Sequence, residues 1–325
     1  MNLSSRLSTW SGRLRQALTA TQIGAPLITP EQVYELRQLA QLAHTLPFTR
    51  QRETRRQQLG DRHSLIRGSG MDFDDSRPFM AGDDRRYLNW RLYARTGELY
   101  LKSFIEEQRP QLCLLLDRRS RMRMGSGDTL KLQEAVKIAT TLALLARREQ
   151  MQVAALLLQS PAQWHKGRGG EAGILELIHA INASAPPLEC VQEPSLNDAL
   201  GQLQESLPTG SIICLISDFM DLDEVSRPLL WQLARKHDLL NFHIVDAMER
   251  QLPEAGRMLI ESGPGDPPLE VDCNDPGLRQ AYAESMQTRQ QEIEDLLRVN
   301  DASYYVVNEA EDFLSAWLGV DYVSG

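Results

Sequence analysis

The chain has 325 residues, of which 42% are hydrophobic and 24% are charged. These proportions are typical of folded globular proteins and exclude collagen-like, rod-like and wholly disordered chains. The length suits one large α/β domain with an extension, or two domains. No stretch has the ~18 uncharged apolar residues that a membrane span requires, and the first residues lack the apolar core of a signal peptide. We therefore expect a cytoplasmic protein.

The formal net charge of −9 is concentrated towards the C-terminus. Residues 241–325 contain 17 Asp and Glu, five Arg and no Lys. The whole chain has 30 Arg and only five Lys. Arginine pairs with carboxylates in a planar, bidentate manner, so the arginine-dense segments of this chain can form internal ion pairs or bind a partner.

Residues 1–67 are expected to form a helical extension. Apolar residues at helical spacing predict an amphipathic helix over residues 1–20. Three interpretations remain open: the helix packs on its own domain or on a partner, the segment is a mobile tail, or the helix lies on a membrane surface. Thr29 and Pro30 predict the start of a second helix. Residues 50–67 contain six arginines but no Phe, Tyr or Trp, a composition that suits phosphate contacts better than base stacking. An arginine-rich nucleic-acid-binding protein is therefore the weaker alternative function.

Residues 68–110 predict a strand, a short helix and a second strand. The strands are expected at residues 71–80 and 99–105, and Gly97 ends the helix. We expect this segment to form a unit of its own, followed by an α/β domain of residues 111–325.

The helix within this segment has an apolar stripe formed by Tyr87, Trp90 and Ala94. Asp83 and Asp84 are expected at its N-terminus, where carboxylates favour the helix dipole. The pattern predicts that Trp90 is buried.

From residue 111 onward, apolar strands alternate with helices, which predicts a mainly parallel, Rossmann-like sheet with helices on both faces. The predicted strands are 111–117, 151–159, 211–217, 239–246 and 304–307, with a short pair around 258–272. The predicted helices are 129–148, 171–183, 195–206, 223–236, 276–299 and 309–317.

Two of the central strands end in carboxylates, Asp117 and Asp218. Ligands of open α/β sheets bind at the carboxyl ends of the strands. The two carboxylates are therefore either functional, as metal ligands or a catalytic pair, or they form caps and ion pairs at the strand ends. After Asp117 the chain continues with arginines rather than with the oxygen ligands that magnesium prefers.

Several enzyme classes lack their motifs in this sequence. A haloacid-dehalogenase-type phosphatase requires a second carboxylate two residues after the first, where this chain has Arg119. A Walker loop is absent, and the histidines show no metal-ligand spacing. We therefore predict no catalytic residue, no bound cofactor and no metal site.

The densest group of carboxylates leaves one enzymatic alternative, a metal-dependent hydrolase. The group consists of Asp72, Asp74, Asp75, Asp83 and Asp84. Arginines are interleaved with these residues, which favours internal ion pairs and helix capping over metal binding.

The run of residues 68–110 resembles the signature of the bacterial domain-of-unknown-function 58 family. The matching positions are Gly82, Asp83, Asp84, Arg86, Trp90, the run Ala94-Arg95-Thr96-Gly97, and Lys102. Asp72 stands where the signature has glutamate, and Asn89 where it has aspartate. The resemblance extends over most of residues 35–318.

This resemblance implies a von Willebrand factor A-like domain, whose strand ends would carry a metal-ion-dependent adhesion site. Asp117 matches the first aspartate of that site, Asp218 matches the last, and Ser195 stands near the threonine position. Arg119 and Arg121 replace the two serines of the motif, and their charge would repel a cation. The resemblance therefore implies a degenerate site, in which we expect Arg119 or Arg121 to pair with Asp117 or Asp218.

Family members are usually encoded beside MoxR-type AAA+ ATPases and are thought to act with them as adaptors or chaperone-like assembly factors. The resemblance thus implies a non-enzymatic interaction protein whose partners are such an ATPase and a protein client. The expected interaction residues are Asp83, Asp84, Arg85, Arg86, Trp90 and Arg95. The strand-end face is also expected to bind an acidic surface through its flanking arginines, Arg118, Arg119, Arg121 and Arg123.

Overall fold

The computed structural model describes residues 25–43, 75–79, 88–103, 111–123, 125–126, 129–168, 170–184, 193–260, 269–308 and 310–320. The chain forms two compact units, one of Met1–Thr49 with Pro110–Gly325 and the other of Arg50–Arg109. The predicted extension, residues 1–67, is thus divided between the two units. The predicted helix over residues 1–20 and the arginine-rich residues 50–67 lie outside the described residues.

The elements are numbered in chain order. The α-helices are α1 (Pro30–Leu42), α2 (Trp90–Thr96), α3 (Lys131–Arg148), α4 (Gly170–Asn182), α5 (Leu196–Ser206), α6 (Ser226–Lys236), α7 (Pro276–Leu297) and α8 (Ala310–Leu318). The strands are β1 (Asp75–Pro78), β2 (Tyr100–Ser103), β3 (Gln111–Asp117), β4 (Gln152–Leu158), β5 (Gln163–Arg168), β6 (Ile212–Ser217), β7 (Asp238–Ile244), β8 (Arg257–Ile260), β9 (Leu269–Asp272) and β10 (Ser303–Val307). Short 3-10 turns occupy Ser120–Arg123 and Ala247–Glu249.

The larger unit is built on a six-stranded sheet with the order β10-β7-β6-β3-β4-β5. Neighbouring strands are parallel except for β4 and β5, which are antiparallel. The predicted mainly parallel sheet is confirmed, and β8 and β9 form the predicted short pair. The edge strand β5 was not predicted, because its sequence QWHKGR has no apolar alternation and its described side chains are exposed or half-buried.

Helices cover both faces of this sheet, as predicted. Successive side chains of a strand point to opposite faces. Leu112, Leu114 and Leu116 of β3 belong to a buried cluster with residues of α1, α3, α4 and α8. Cys113 and Leu115 belong to a second cluster with residues of α5, α6 and α7. Burial of each such side chain contributes about 1.5–3 kcal/mol, so the central strand is held firmly on both sides.

The smaller unit contains the predicted strand, helix and strand. β1 and β2 pair in antiparallel fashion, with Asp75 opposite Ser103. α2 begins after Asn89, whose side-chain oxygen accepts a hydrogen bond from the Leu92 N–H at 3.2 Å. It ends at Gly97, whose φ of 75° lies in the left-handed region that favours glycine.

Two predictions about α2 were wrong. Trp90 is 62% exposed rather than buried, and none of the residues of this helix is buried. A helix of about two turns beside a two-stranded sheet has no core thick enough to enclose an indole. The cap is Asn89 rather than Asp83 or Asp84, because the helix begins at Trp90, later than the sequence pattern indicated.

None of the helices in the described part of the chain combines the length and the apolar character of a membrane-spanning helix.

Candidate functional site

The carboxyl ends of β3 and β6 lie side by side at one edge of the sheet. β3 ends at Asp117, and Asp218 directly follows β6. The two strands pair in parallel, so their last residues reach the same edge. Both carboxylates are only 1% exposed. Since an uncompensated buried carboxylate is strongly unfavourable, each of them requires a positive partner.

Arg119 is the positive partner of Asp117. Its Nε donates to Oδ1 of Asp117 at 3.0 Å, and its Nη2 donates to Oδ2 at 2.7 Å. The backbone N–H of Arg119 also donates to Oδ1 at 3.0 Å, and the hydroxyl of Ser217 donates to Oδ2 at 2.6 Å. The four bonds use the ordinary capacity of a carboxylate, so Asp117 has no oxygen lone pair left for a ligand.

The other edge of the Arg119 guanidinium binds Asp221. Nη1 donates to Oδ2 of Asp221 at 2.6 Å, and Nη2 donates to Oδ1 at 2.9 Å. Nη1 also donates to the carbonyl oxygen of Pro194 at 3.3 Å. Together with the bonds to Asp117, these contacts engage all five N–H groups of the guanidinium.

The ion pairs shift the pKa values of this cluster. Burial alone would lower the pKa of Arg119, but hydrogen bonds to Asp221 and Asp117, and the charges of both, raise it well above its ordinary value. Burial alone would raise the pKa of Asp221, but Arg119 holds it below its ordinary value. Both groups are therefore charged at neutral pH.

Lys131 is the positive partner of Asp218. It is the first residue of α3 and is 3% exposed. Its ammonium group donates to Oδ2 of Asp218 at 2.9 Å and to Oε1 of Glu249 at 2.6 Å. Burial would lower the pKa of Lys131, but these two carboxylates raise it. Burial would likewise raise the pKa of Asp218, but Lys131 holds it below its ordinary value.

The loops around these ion pairs are also tied together by hydrogen bonds. The Glu193 carboxylate accepts from the Ser120 backbone N–H at 2.6 Å and from the Ser120 hydroxyl at 2.8 Å. Asp246 accepts from the Ser126 N–H at 2.7 Å. The Ser195 hydroxyl caps α5 by accepting a hydrogen bond from the Asp198 N–H at 3.0 Å. The strand-end edge is therefore a rigid, interlocked surface.

The four arginines of this edge have different environments. Arg118 is 1% exposed and donates to three carbonyl oxygens at the end of α4, those of Ala180, Ala183 and Ser184. Burial lowers its pKa to about 10. Arg119 is engaged by Asp117 and Asp221 as described. Arg121 is exposed and Arg123 is half-buried. The expectation that all four arginines bind a partner is therefore wrong for Arg118 and Arg119, which face inward.

A buried histidine lies next to this edge. His243 in β7 is opposite Ser217 in β6, and its Nδ1 lies 2.7 Å from the hydroxyl oxygen of Tyr304. Its ring meets the ring of Phe219 edge to face, at 5.8 Å between centroids. Burial lowers the pKa of His243 to about 4, so it is neutral at physiological pH.

The strand-end residues do not fit the divalent cation of an adhesion-type site. A magnesium ion would need free carboxylate and hydroxyl oxygens. Here Arg119 and Lys131 already occupy the carboxylates, and their positive charges would repel an incoming cation. Within the described residues, no group of three or more His, Cys, Asp or Glu side chains is arranged to hold a metal ion.

Three residues of the network were missed by sequence reasoning: Lys131, Asp221 and Glu249. Lys131 stands in a predicted helix and resembles an ordinary surface lysine. Asp221 is one of several acids after β6, and Glu249 lies in the acidic C-terminal part of the chain. No local sequence pattern marks Lys131, Asp221 or Glu249, because the two arginines in the serine positions already match the two strand-end carboxylates in number.

The predicted interaction residues of the smaller unit are only partly described. Trp90 and Arg95 are both exposed on α2. Asp83, Asp84, Arg85 and Arg86 lie outside the described residues, as do Asp72 and Asp74 of the carboxylate cluster. Of that cluster only Asp75 is placed, in β1.

The fold and this edge define a mixed α/β protein with a mostly parallel sheet whose strand-end carboxylates are paired with internal cations. Residues 75–292 match the model of the family described as protein of unknown function DUF58. The chain belongs to this family. The predicted membership of the domain-of-unknown-function 58 family is therefore confirmed.

Two curated relatives are mycobacterial. An uncharacterized protein of Mycobacterium tuberculosis is 23% identical over 257 residues, which cover 79% of this chain and 80% of the relative. An uncharacterized protein of Mycobacterium bovis matches to the same extent, 23% over 257 residues.

Solved structures that the chain matches include two proteins of Bacteroides. The conserved hypothetical protein BatB of Bacteroides thetaiotaomicron has a TM-score of 0.43 and 12% identity, covering 65% of this chain and 96% of that chain. An aerotolerance-related membrane protein of Bacteroides fragilis has a TM-score of 0.39 and 12% identity, covering 64% of this chain and 96% of that chain.

Proposed function

We propose that this protein is a non-enzymatic, cytoplasmic interaction protein that works with a MoxR-type AAA+ ATPase in the assembly or maturation of client proteins. Its larger unit is a von Willebrand factor A-like domain with a degenerate adhesion site. Its strand-end face binds the partner without a bridging metal ion.

The observation that carries this proposal is the pairing of the buried strand-end carboxylates with internal cations. Asp117 accepts four hydrogen bonds, and Asp218 is bound by Lys131 and by the Met220 N–H at 3.2 Å. A general base or metal ligand needs a free oxygen within reach of substrate or ion. Carboxylates that are 1% exposed and paired with Arg119 and Lys131 are withheld from substrate and ion, and they instead fix the loops in one arrangement.

Rigid loops suit a binding surface, because little conformational entropy is lost when a partner binds. Arg121 is the exposed arginine in the 3-10 turn that follows Asp117. A guanidinium in that place can form a bidentate pair with a partner carboxylate.

The test is a binding measurement between this protein and a MoxR-type AAA+ ATPase of the same organism. Binding is expected to persist in EDTA when the nucleotide state of the ATPase is held fixed, and to weaken as salt is raised. Arg121→Ser is expected to weaken binding about tenfold, since it removes one charged contact.

The matched control is Arg37→Ser, which changes an exposed arginine on α1. It should leave the affinity unchanged. Loss of binding on chelation of free divalent ions alone would contradict a metal-independent face. Absence of any binding to the ATPase would contradict the proposed partnership, and turnover of a phosphoester substrate by the purified protein would favour the hydrolase alternative.

A further inference from the structure

A second surface is formed by α2 in the smaller unit. Trp90 is 62% exposed and Tyr93 is 43% exposed. Their rings meet edge to face, with 6.2 Å between centroids and 88° between planes. Exposed tryptophan and tyrosine at adjacent helical positions are costly to hydrate, and such residues are enriched where protein partners bind. The contact between the rings also holds both in a defined orientation.

The neighbouring face of the same helix is positively charged. Arg91 and Arg95 stand one turn apart and are both exposed. Neither has an ion pair or a side-chain hydrogen bond in the described part of the chain. By contrast, the nearby acid Glu98 accepts a hydrogen bond from the hydroxyl of Tyr100 at 2.9 Å. The helix therefore presents two guanidinium groups that no carboxylate of the described residues binds.

We infer that the exposed face of α2 is a docking surface for an acidic protein segment that carries an apolar anchor side chain. The anchor packs against Trp90 and Tyr93, and carboxylates of the segment pair with Arg91 and Arg95. The opposite side of the helix is partly covered, since Leu92 on that side is half-buried. This surface is separate in residues from the strand-end edge, and the inference rests on the proposed function in taking the AAA+ ATPase as the protein that carries the segment.

Other occupants fit the observations less well. A second copy related by a twofold axis would bring the same arginines together, which is unfavourable. Nucleic acids are bound mainly through several phosphate contacts, and the exposed face of α2 offers only Arg91 and Arg95 for them. A membrane surface is usually bound by a longer amphipathic helix than the seven residues of α2. A protein segment needs only the two rings and the two charges that the helix offers.

The first experiment measures the affinity of three variants of this protein for the same AAA+ ATPase. Trp90→Ala is expected to weaken binding about thirtyfold, as is typical of a central interface tryptophan. The double variant Arg91→Glu/Arg95→Glu is expected to weaken it at least tenfold and to remove part of its salt dependence. Trp231→Ala is the control, because Trp231 is also exposed, at 46%, but lies on α6 of the other unit. Unchanged affinity in the α2 variants would overturn the inference while leaving the proposed partnership standing.

The second experiment does not depend on the ATPase. Tyr93 is replaced by the photocrosslinker p-benzoylphenylalanine in cells, and the crosslinked peptides are identified by mass spectrometry. We expect a protein segment with Asp or Glu within one helical turn of the crosslinked residue, and at least a fivefold loss of that product in the Arg91→Glu/Arg95→Glu background. Crosslinks only to lipid, to nucleic acid, to a second copy or to basic segments, or no crosslink at all, would overturn the inference.

Discussion

Removal of the Arg119 guanidinium is expected to destabilise the protein strongly. In Arg119→Met the side chain keeps its apolar length but loses all its N–H donors. Asp117 then remains 1% exposed, with only the Ser217 hydroxyl and the backbone N–H of residue 119 as donors. Breaking a buried ion pair by removing one partner typically costs about 3–5 kcal/mol, because the remaining charge is left uncompensated.

The magnitude should fall within that range for a specific reason. The side chain of Asp221 is 29% exposed, so its carboxylate can recover hydration when Arg119 is removed. The side chain of Asp117 is 1% exposed, so its carboxylate cannot. Nearly all of the loss should therefore come from Asp117. The double variant Arg119→Met/Asp117→Asn removes both charges, and we expect it to recover about half or more of the lost stability.

The measurement is urea unfolding at pH 7 of the wild type, the two single variants and the double variant. Arg227→Met is a suitable control, since its ion pair with Glu224 is exposed and its removal should leave the free energy of unfolding nearly unchanged. A loss below about 1 kcal/mol for Arg119→Met would refute the argument. So would a double variant less stable than either single variant.

Further predictions concern other parts of the molecule. His243 has a pKa of about 4 in the folded protein against 6.5 ordinarily, so between these values the unfolded chain binds more protons and stability falls as the pH drops, by up to about 3 kcal/mol. In His243→Gln, urea unfolding from pH 7 to 4 should show a shallower fall, and an unchanged slope would contradict this. Trp90→Ala should change the unfolding free energy by less than about 0.5 kcal/mol, since the indole is 62% exposed; a loss of 3 kcal/mol or more would mean that it is buried. Gly125→Ala should lower the melting temperature, because a Cβ would lie 2.4 Å from the Thr129 carbonyl oxygen; an unchanged melting temperature would contradict that contact.

The central sheet could be predicted from the sequence because each of its buried strands is a short apolar run. QLCLLLD and SIICLIS can be stable only where both faces are covered, and that requirement gives parallel strands with helices on either side. The same argument placed Asp117 and Asp218 at one edge. The replacement of motif serines by arginines also predicted that Arg119 or Arg121 pairs with Asp117 or Asp218, and the structure contains one of these pairs, Arg119 with Asp117.

The rest of the site depends on contacts between residues distant in sequence. Lys131 and Asp218 are 87 positions apart, and Arg119 and Asp221 are 102 apart, so no local pattern marks them as partners. The exposure of Trp90 was missed for a different reason. Its helical spacing with neighbouring apolar residues is the same for a buried stripe and for a binding face, and periodicity alone does not distinguish them.

The claim that the chain's own cations close the strand-end edge is tested most directly by calorimetric titration of the metal-free protein with Mn²⁺ and Mg²⁺. Because Arg119 and Lys131 hold the oxygens of Asp117 and Asp218, we predict no site tighter than about millimolar. A stoichiometric site of micromolar affinity that disappears in Asp117→Asn would contradict the account.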